Sequence, residues 1–122
     1  MANGSETLHP QTWAKVNASV DVGVLPLVEA LSAFPALQTF ESCEGIGDEP
    51  MTVWFTYGHS DTELATFFAK VLAAEIKGKI PADVELSLWA NTFGQVHAEI
   101  AVPRSAAKRV ARLIRRVAAK HV

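Results

Sequence analysis

From Val84 to Val102 the chain reads V-E-L-S-L-W-A-N-T-F-G-Q-V-H-A-E-I-A-V. Apolar and polar residues alternate over V84–W89 and again over Q95–V102. Between them A90-N-T-F-G94 carries the turn residues of a β-hairpin. Alternation at this period sorts the side chains onto two faces. Val84, Leu86, Leu88, Val96, Ala98, Ile100 and Val102 fall on one face, and Glu85, Ser87, Trp89, His97 and Glu99 on the other. An antiparallel sheet with one apolar face needs helices to cover it.

The covering elements lie on either side. Downstream, S105–K120 has Ala106, Val110, Leu113, Ile114 and Val117 on one side of a helix. Lys108, Arg109, Arg112, Arg115 and Arg116 lie on the other. Upstream, Ser60 and Glu63 stand at capping-box spacing before the apolar stripe Leu64, Phe67, Phe68, Val71, Leu72 and Ile76. Gly78 and Pro81 close that helix. M51-T-V-W-F-T-Y57 is a strand rich in β-branched and aromatic residues. A shorter strand runs from about Leu37 to Ser42. Val24, Leu27, Val28, Leu31 and Phe34 define a first helix, with Asp21 as its cap, Pro26 in its first turn and Pro35 at its end. The expected order is α-ββα-ββα, a single α+β domain over residues 13–122. Its sheet has four mostly antiparallel strands with helices on one face. The two ββα units are of similar length, as a loose structural duplication would be. Residues 1–12 read as a flexible leader.

Composition is that of an ordinary globular domain: 122 residues, 49% hydrophobic and 20% charged. The single cysteine cannot form an internal disulfide, and no Cys/His cluster has zinc spacing. A reducing cytoplasm is the natural setting. No apolar run reaches the ~18 residues of a membrane span, and the first ten residues lack the basic and apolar regions of a signal peptide. Net charge is −2, but it is unevenly spread. Residues 1–103 hold 13 acids and four lysines, whereas residues 104–122 hold seven Lys/Arg and no acid. Arg104, Lys108, Arg109, Arg112, Arg115 and Arg116 therefore form a basic face, either solvated or suited to the phosphates of RNA. Characteristic aromatic RNA-reading motifs are absent, so sequence-specific readout is not expected.

Two further places hold candidate chemistry. If Val53 and Phe55 point at the helices, Trp54 joins Trp89, His97, Glu85 and Glu99 on the uncovered sheet face. Two tryptophans beside polar groups suit a planar ligand, or a homodimer made sheet on sheet. The second place is T39-F-E-S-C-E-G-I-G-D-E49. Glu41, Glu44, Asp48 and Glu49 surround Cys43, and such anions oppose a reactive thiolate. The carboxylates lack EF-hand spacing, and no metal is expected. Ser42 and Cys43 also read simply as small residues at a strand end, with Gly45 and Gly47 taking positive φ.

S19-V-D-V-G-V-L-P-L-V-E-A-L-S32 followed by T39-F-E-S-C-E-G45 resembles the N-terminal part of the wybutosine-synthesis tRNA methyltransferase family. The matching positions are Ser19, Asp21, Leu25, Pro26 and Leu27, then Ser42, Cys43 and Gly45, about a quarter of the chain. Glu44 stands where the family has serine, and Ile46 where it has an arginine. The resemblance implies a related fold and S-adenosylmethionine or another nucleotide-like molecule as ligand. If the chain is an enzyme, it implies methyl transfer to a tRNA base. Ser42, Cys43 and Gly45 would shape the pocket and Asp21 would brace it or bond the ligand. Trp54, Trp89 and His97 would supply stacking and polar contact. The alternatives are a non-catalytic bacterial or phage regulatory module that sequesters a nucleotide or docks on RNA through its basic helix, and a homo-oligomer using the tryptophan-bearing face.

Overall fold

A computed structural model describes residues 11–13 and 19–121. Strands β1 (Gln11–Trp13) and β2 (Ser19–Asp21) pair with each other. After a 3-10 turn (Val22–Val24) come α1 (Leu25–Leu31), β3 (Leu37–Cys43) and β4 (Met51–Tyr57). Next are α2 (Asp61–Thr66), a π-helical stretch (Phe67–Ala73) and α3 (Ala74–Ile76). The hairpin β5 (Glu85–Ala90) and β6 (Val96–Val102) follows. A 3-10 turn (Arg104–Ala106) then leads into α4 (Ala107–His121).

Strands β3 to β6 form one antiparallel sheet in the order β3-β4-β6-β5. The fold is α+β, as the alternation requires. The order is also the one that two ββα units give when a two-fold axis passes between β4 and β6. Helices cover one face. Val53, Phe55, Ala98 and Ile100 on that face are fully buried against Leu27, Leu31, Leu72, Val110 and Ile114. Burying side chains of this size stabilises by roughly 1.5–3 kcal/mol each, and that supplies the drive for the two-layer arrangement.

Local signals account for the helix starts. Ser60 accepts a hydrogen bond from the Glu63 amide at 3.1 Å, and the Glu63 carboxylate accepts the His59 amide at 2.9 Å. This is the capping pattern read from spacing. Pro26 occupies the first turn of α1. The start of that helix differs from expectation. Asp21 lies in β2, paired with Gln11, and the cap position is Val24, which makes no side-chain cap bond. Strand pairing with β1 holds Ser19–Asp21 extended, so the helix is delayed until Leu25. Of the leader expected over residues 1–12, residues 1–10 lie outside the described residues, and Gln11 and Thr12 belong to β1. Leu88, expected under the helices, is 42% exposed, because β5 is an edge strand at the limit of the helical layer.

Candidate functional site

The sheet face that the helices leave open holds a continuous aromatic cluster. Trp54 comes from β4 and His97 from β6; their ring centroids are 5.0 Å apart. Phe40 of β3 meets the edge of His97 at 5.4 Å and lies 6.1 Å from Trp54. Trp89 of β5 is the cross-strand partner of His97, is half exposed, and donates its indole N–H to Ser87 Oγ at 3.2 Å. The stripe thus crosses all four strands. Alternation placed Trp54, Trp89 and His97 on this face. Phe40 joins them by the same alternation, since Leu37 and Thr39 on either side of Gln38 are buried. A register shift between Thr39 and Glu41 inserts one residue, so Glu41 follows Phe40 onto the open side.

Ser42 and Cys43, as successive strand residues, lie on opposite faces, and the bulge decides which of them faces Trp54. Beyond it Ser42 pairs with Val53, on the helix side, and Cys43 pairs with Thr52, on the open side. Ser42 and Cys43 therefore face opposite ways, and only Cys43 shares a face with Trp54.

Carboxylates frame the aromatic stripe. The cross-strand neighbours of Trp54 are Glu41 on β3 and Glu99 on β6. Glu85 lies one strand further, opposite Ala101. Among the described residues none of these three carboxylates makes an ion pair. The face is therefore aromatic and anionic, with four rings and three acids.

The S42-C-E-G45 turn is organised by its own groups. The Gly45 amide donates to Cys43 Sγ at 3.4 Å and the Ile46 amide to Glu49 Oε1 at 3.0 Å. Gly45 and Gly47 take φ of +78° and +64°. The Glu44 carboxylate turns inward, accepts the Gly23 amide at 3.1 Å, and lies where a Cβ on residue 23 would sit. Arg104, 59 residues along the chain, reaches the turn from beyond the end of β6. Its Nη2 donates to the Gly45 carbonyl at 2.7 Å, and its Nη1 lies 3.8 Å from Glu44. The turn thus holds a guanidinium, from the second residue beyond β6 rather than from position 46. Arg104, expected to face nucleic acid, is engaged internally.

The remaining basic residues divide. Arg109 bonds the Lys79 carbonyl, Arg115 pairs with Glu29, and Lys120 pairs with Glu75 at 2.8 Å. Lys108, Arg112 and Arg116 are exposed and have no ion-pair partner among the described residues. Two clefts flank Tyr57–Ser60, which sequence alone did not mark. One, about 340 Å³, is lined by Tyr57, Thr66, Phe67 and Val71. The other, about 210 Å³, is lined by Thr56, His59, Asp61 and Val96. The Tyr57 ring stacks on Phe67 at 4.0 Å, at the start of the π-helical stretch. Such stretches recur at functional sites, but the Ser60 hydroxyl and Glu63 carboxylate here are spent on the helix cap.

Among the described residues no group of three His, Cys, Asp or Glu side chains could hold a metal ion, and no helix is long and apolar enough to cross a membrane. Comparison of the chain with protein-family models, curated proteins and solved structures gives no match.

Proposed function

We propose that the chain is a binding module for a positively charged, nucleoside-like molecule held on the open sheet face, with S-adenosylmethionine as the first candidate. The observation that carries this reading is the setting of Trp54, beside Phe40 and His97 and flanked in register by Glu41 and Glu99. A purine ring stacked on an aromatic side chain gains about 1–3 kcal/mol; Trp54 is half-buried, and Phe40 and Trp89 are the exposed rings of the stripe. Carboxylates beside it accept ribose hydroxyls and attract a sulfonium, and an indole face attracts a cation as well. The same carboxylates repel phosphates. Ligand charge is therefore the discriminator, and a nucleoside triphosphate is excluded from this face by the field that favours a sulfonium.

When bound, S-adenosylmethionine supplies an activated methyl group. The chain's part would be to orient the ligand and exclude water. A tRNA base as methyl acceptor rests on the resemblance of Ser19–Ser32 and Thr39–Gly45 to the wybutosine-synthesis family.

The test is thermal unfolding and tryptophan fluorescence with S-adenosylmethionine, S-adenosylhomocysteine and ATP. A ligand at 100 times its Kd adds about 2.7 kcal/mol of stability. The expected order is S-adenosylmethionine above S-adenosylhomocysteine, with ATP inert, and Trp54→Ala abolishes the response. No shift with millimolar S-adenosylmethionine, or an equal response to ATP, overturns the reading.

A further inference from the structure

We propose that copies of this chain associate head to tail, with the outer side of α4 on one copy seated on the aromatic, anionic sheet face of the next. The inference uses the same face as the ligand reading but rests on charge and spacing within the chain, not on any ligand.

The two surfaces lie on opposite sides of one domain. Helix α4 buries Val110, Ile114 and Val117 in the core beneath the sheet, so its other side points away from the domain. That side carries Lys108, Arg112 and Arg116, left free once Arg104, Arg109, Arg115 and Lys120 are spent on internal partners. The opposite side carries Glu41, Glu99 and Glu85 without ion-pair partners among the described residues. Each surface therefore holds three like charges without an ion-pair partner among the described residues.

Spacing matches as well. Lys108, Arg112 and Arg116 recur every four residues, about 6 Å apart along the helix axis. Glu41, Trp54 and Glu99 sit on three adjacent strands, about 4.8 Å apart. A helix laid across the strands sets Arg112 over the Trp54 ring, with Lys108 and Arg116 beside the two flanking glutamates. Arginine is suited to the central place, because a planar guanidinium stacks on indole while its edge bonds carboxylates. Because the two surfaces differ, the contact is heterologous and each copy can both give and receive, which builds a ring or a filament.

Sedimentation velocity at high-micromolar protein tests this in low and high salt. Screening contracts from about 30 Å at 0.01 M to about 3 Å at 1 M salt. The expected result is concentration-dependent association at low salt that disappears at high salt. Glu99→Lys and Arg112→Gln should each weaken it about tenfold or more. An equimolar mixture of the two variants should form pairs that grow no further, since only one intact sheet face meets one intact helix face. The recovered pairing also shows that both variants are folded. A monomer under all conditions, association that survives high salt, or association insensitive to Arg112→Gln overturns the proposal. None of these outcomes depends on whether S-adenosylmethionine binds.

Discussion

Replacing Gly45 and Gly47 separately by alanine isolates what the turn after β3 requires of its backbone. Both residues have positive φ, +78° and +64°. An alanine in that region costs about 1–2 kcal/mol, of which about 0.4–1 kcal/mol is returned by the stiffer unfolded chain. Gly47→Ala should stop there, because a Cβ at residue 47 meets nothing within 4 Å. The expected loss is about 1 kcal/mol. At residue 45 the new Cβ would lie 2.7 Å from the Glu49 carbonyl oxygen and 2.8 Å from that of Pro50. These are backbone atoms and cannot rotate away. Pro50 immediately precedes β4, so the displacement would pass into a central strand. Overpacking of this kind adds about 1–3 kcal/mol, giving a total loss of about 2–4 kcal/mol. Urea unfolding of the two variants measures the difference directly, and the subtraction cancels the shared cost of positive φ. Equal destabilisation would refute the reasoning. Gly45 would then be tolerated on conformation alone, and the turn would be looser than its backbone packing implies.

Three other perturbations test separate interactions. Glu44→Ala should cost about 2 kcal/mol in denaturant unfolding, because the carboxylate accepts the Gly23 amide in a part-buried setting. A double-mutant cycle with Arg104→Ala should show a coupling below about 1 kcal/mol, since the arginine is 43% exposed and 3.8 Å away. Thr39→Val should raise stability by about 1 kcal/mol, because the Thr39 hydroxyl is buried and has no partner among the described residues; a loss of stability would show that the hydroxyl is bonded. The hydrogen bond from Lys120 holds the Glu75 carboxyl below the usual carboxylate range, opposed by partial burial and aided by His121. A carboxyl depressed by folding adds stability above its unfolded pKa and loses it as pH falls through the folded one. Lys120→Met should therefore raise the Glu75 titration midpoint seen by NMR, and its stability deficit should be present at neutral pH and vanish in acid.

Much of the architecture was legible because it rests on local periods. The alternation in β4, β5 and β6 assigned Trp54, Trp89 and His97 to one face, and pairing agrees. The Ser60–Glu63 spacing gave the cap of α2, and the apolar side of α4 is the buried one. The Ser42–Cys43 stretch was not legible in the same way. The bulge between Thr39 and Glu41 shifts the alternation by one residue, and nothing in T39-F-E-S-C43 announces it. For that reason Glu41 flanks Trp54 on the open face, and Cys43 rather than Ser42 shares that face. The first helix was misplaced at its start because β1 is remote from the local pattern around Asp21.

Local sequence was enough to place the four strands of the main sheet and the helices that cover them, the apolar face of each later strand, and the unbalanced positive charge of one helix. Each depends on neighbours a few residues apart, where backbone geometry sets the period. Tertiary structure decided that Arg104 closes on the Gly45 turn across 59 residues, and that four of the seven C-terminal cations have internal partners. It also decided that Trp54 lies between Glu41 and Glu99. These are pairings between distant segments, selected by the shared burial of the core, and no local period encodes them.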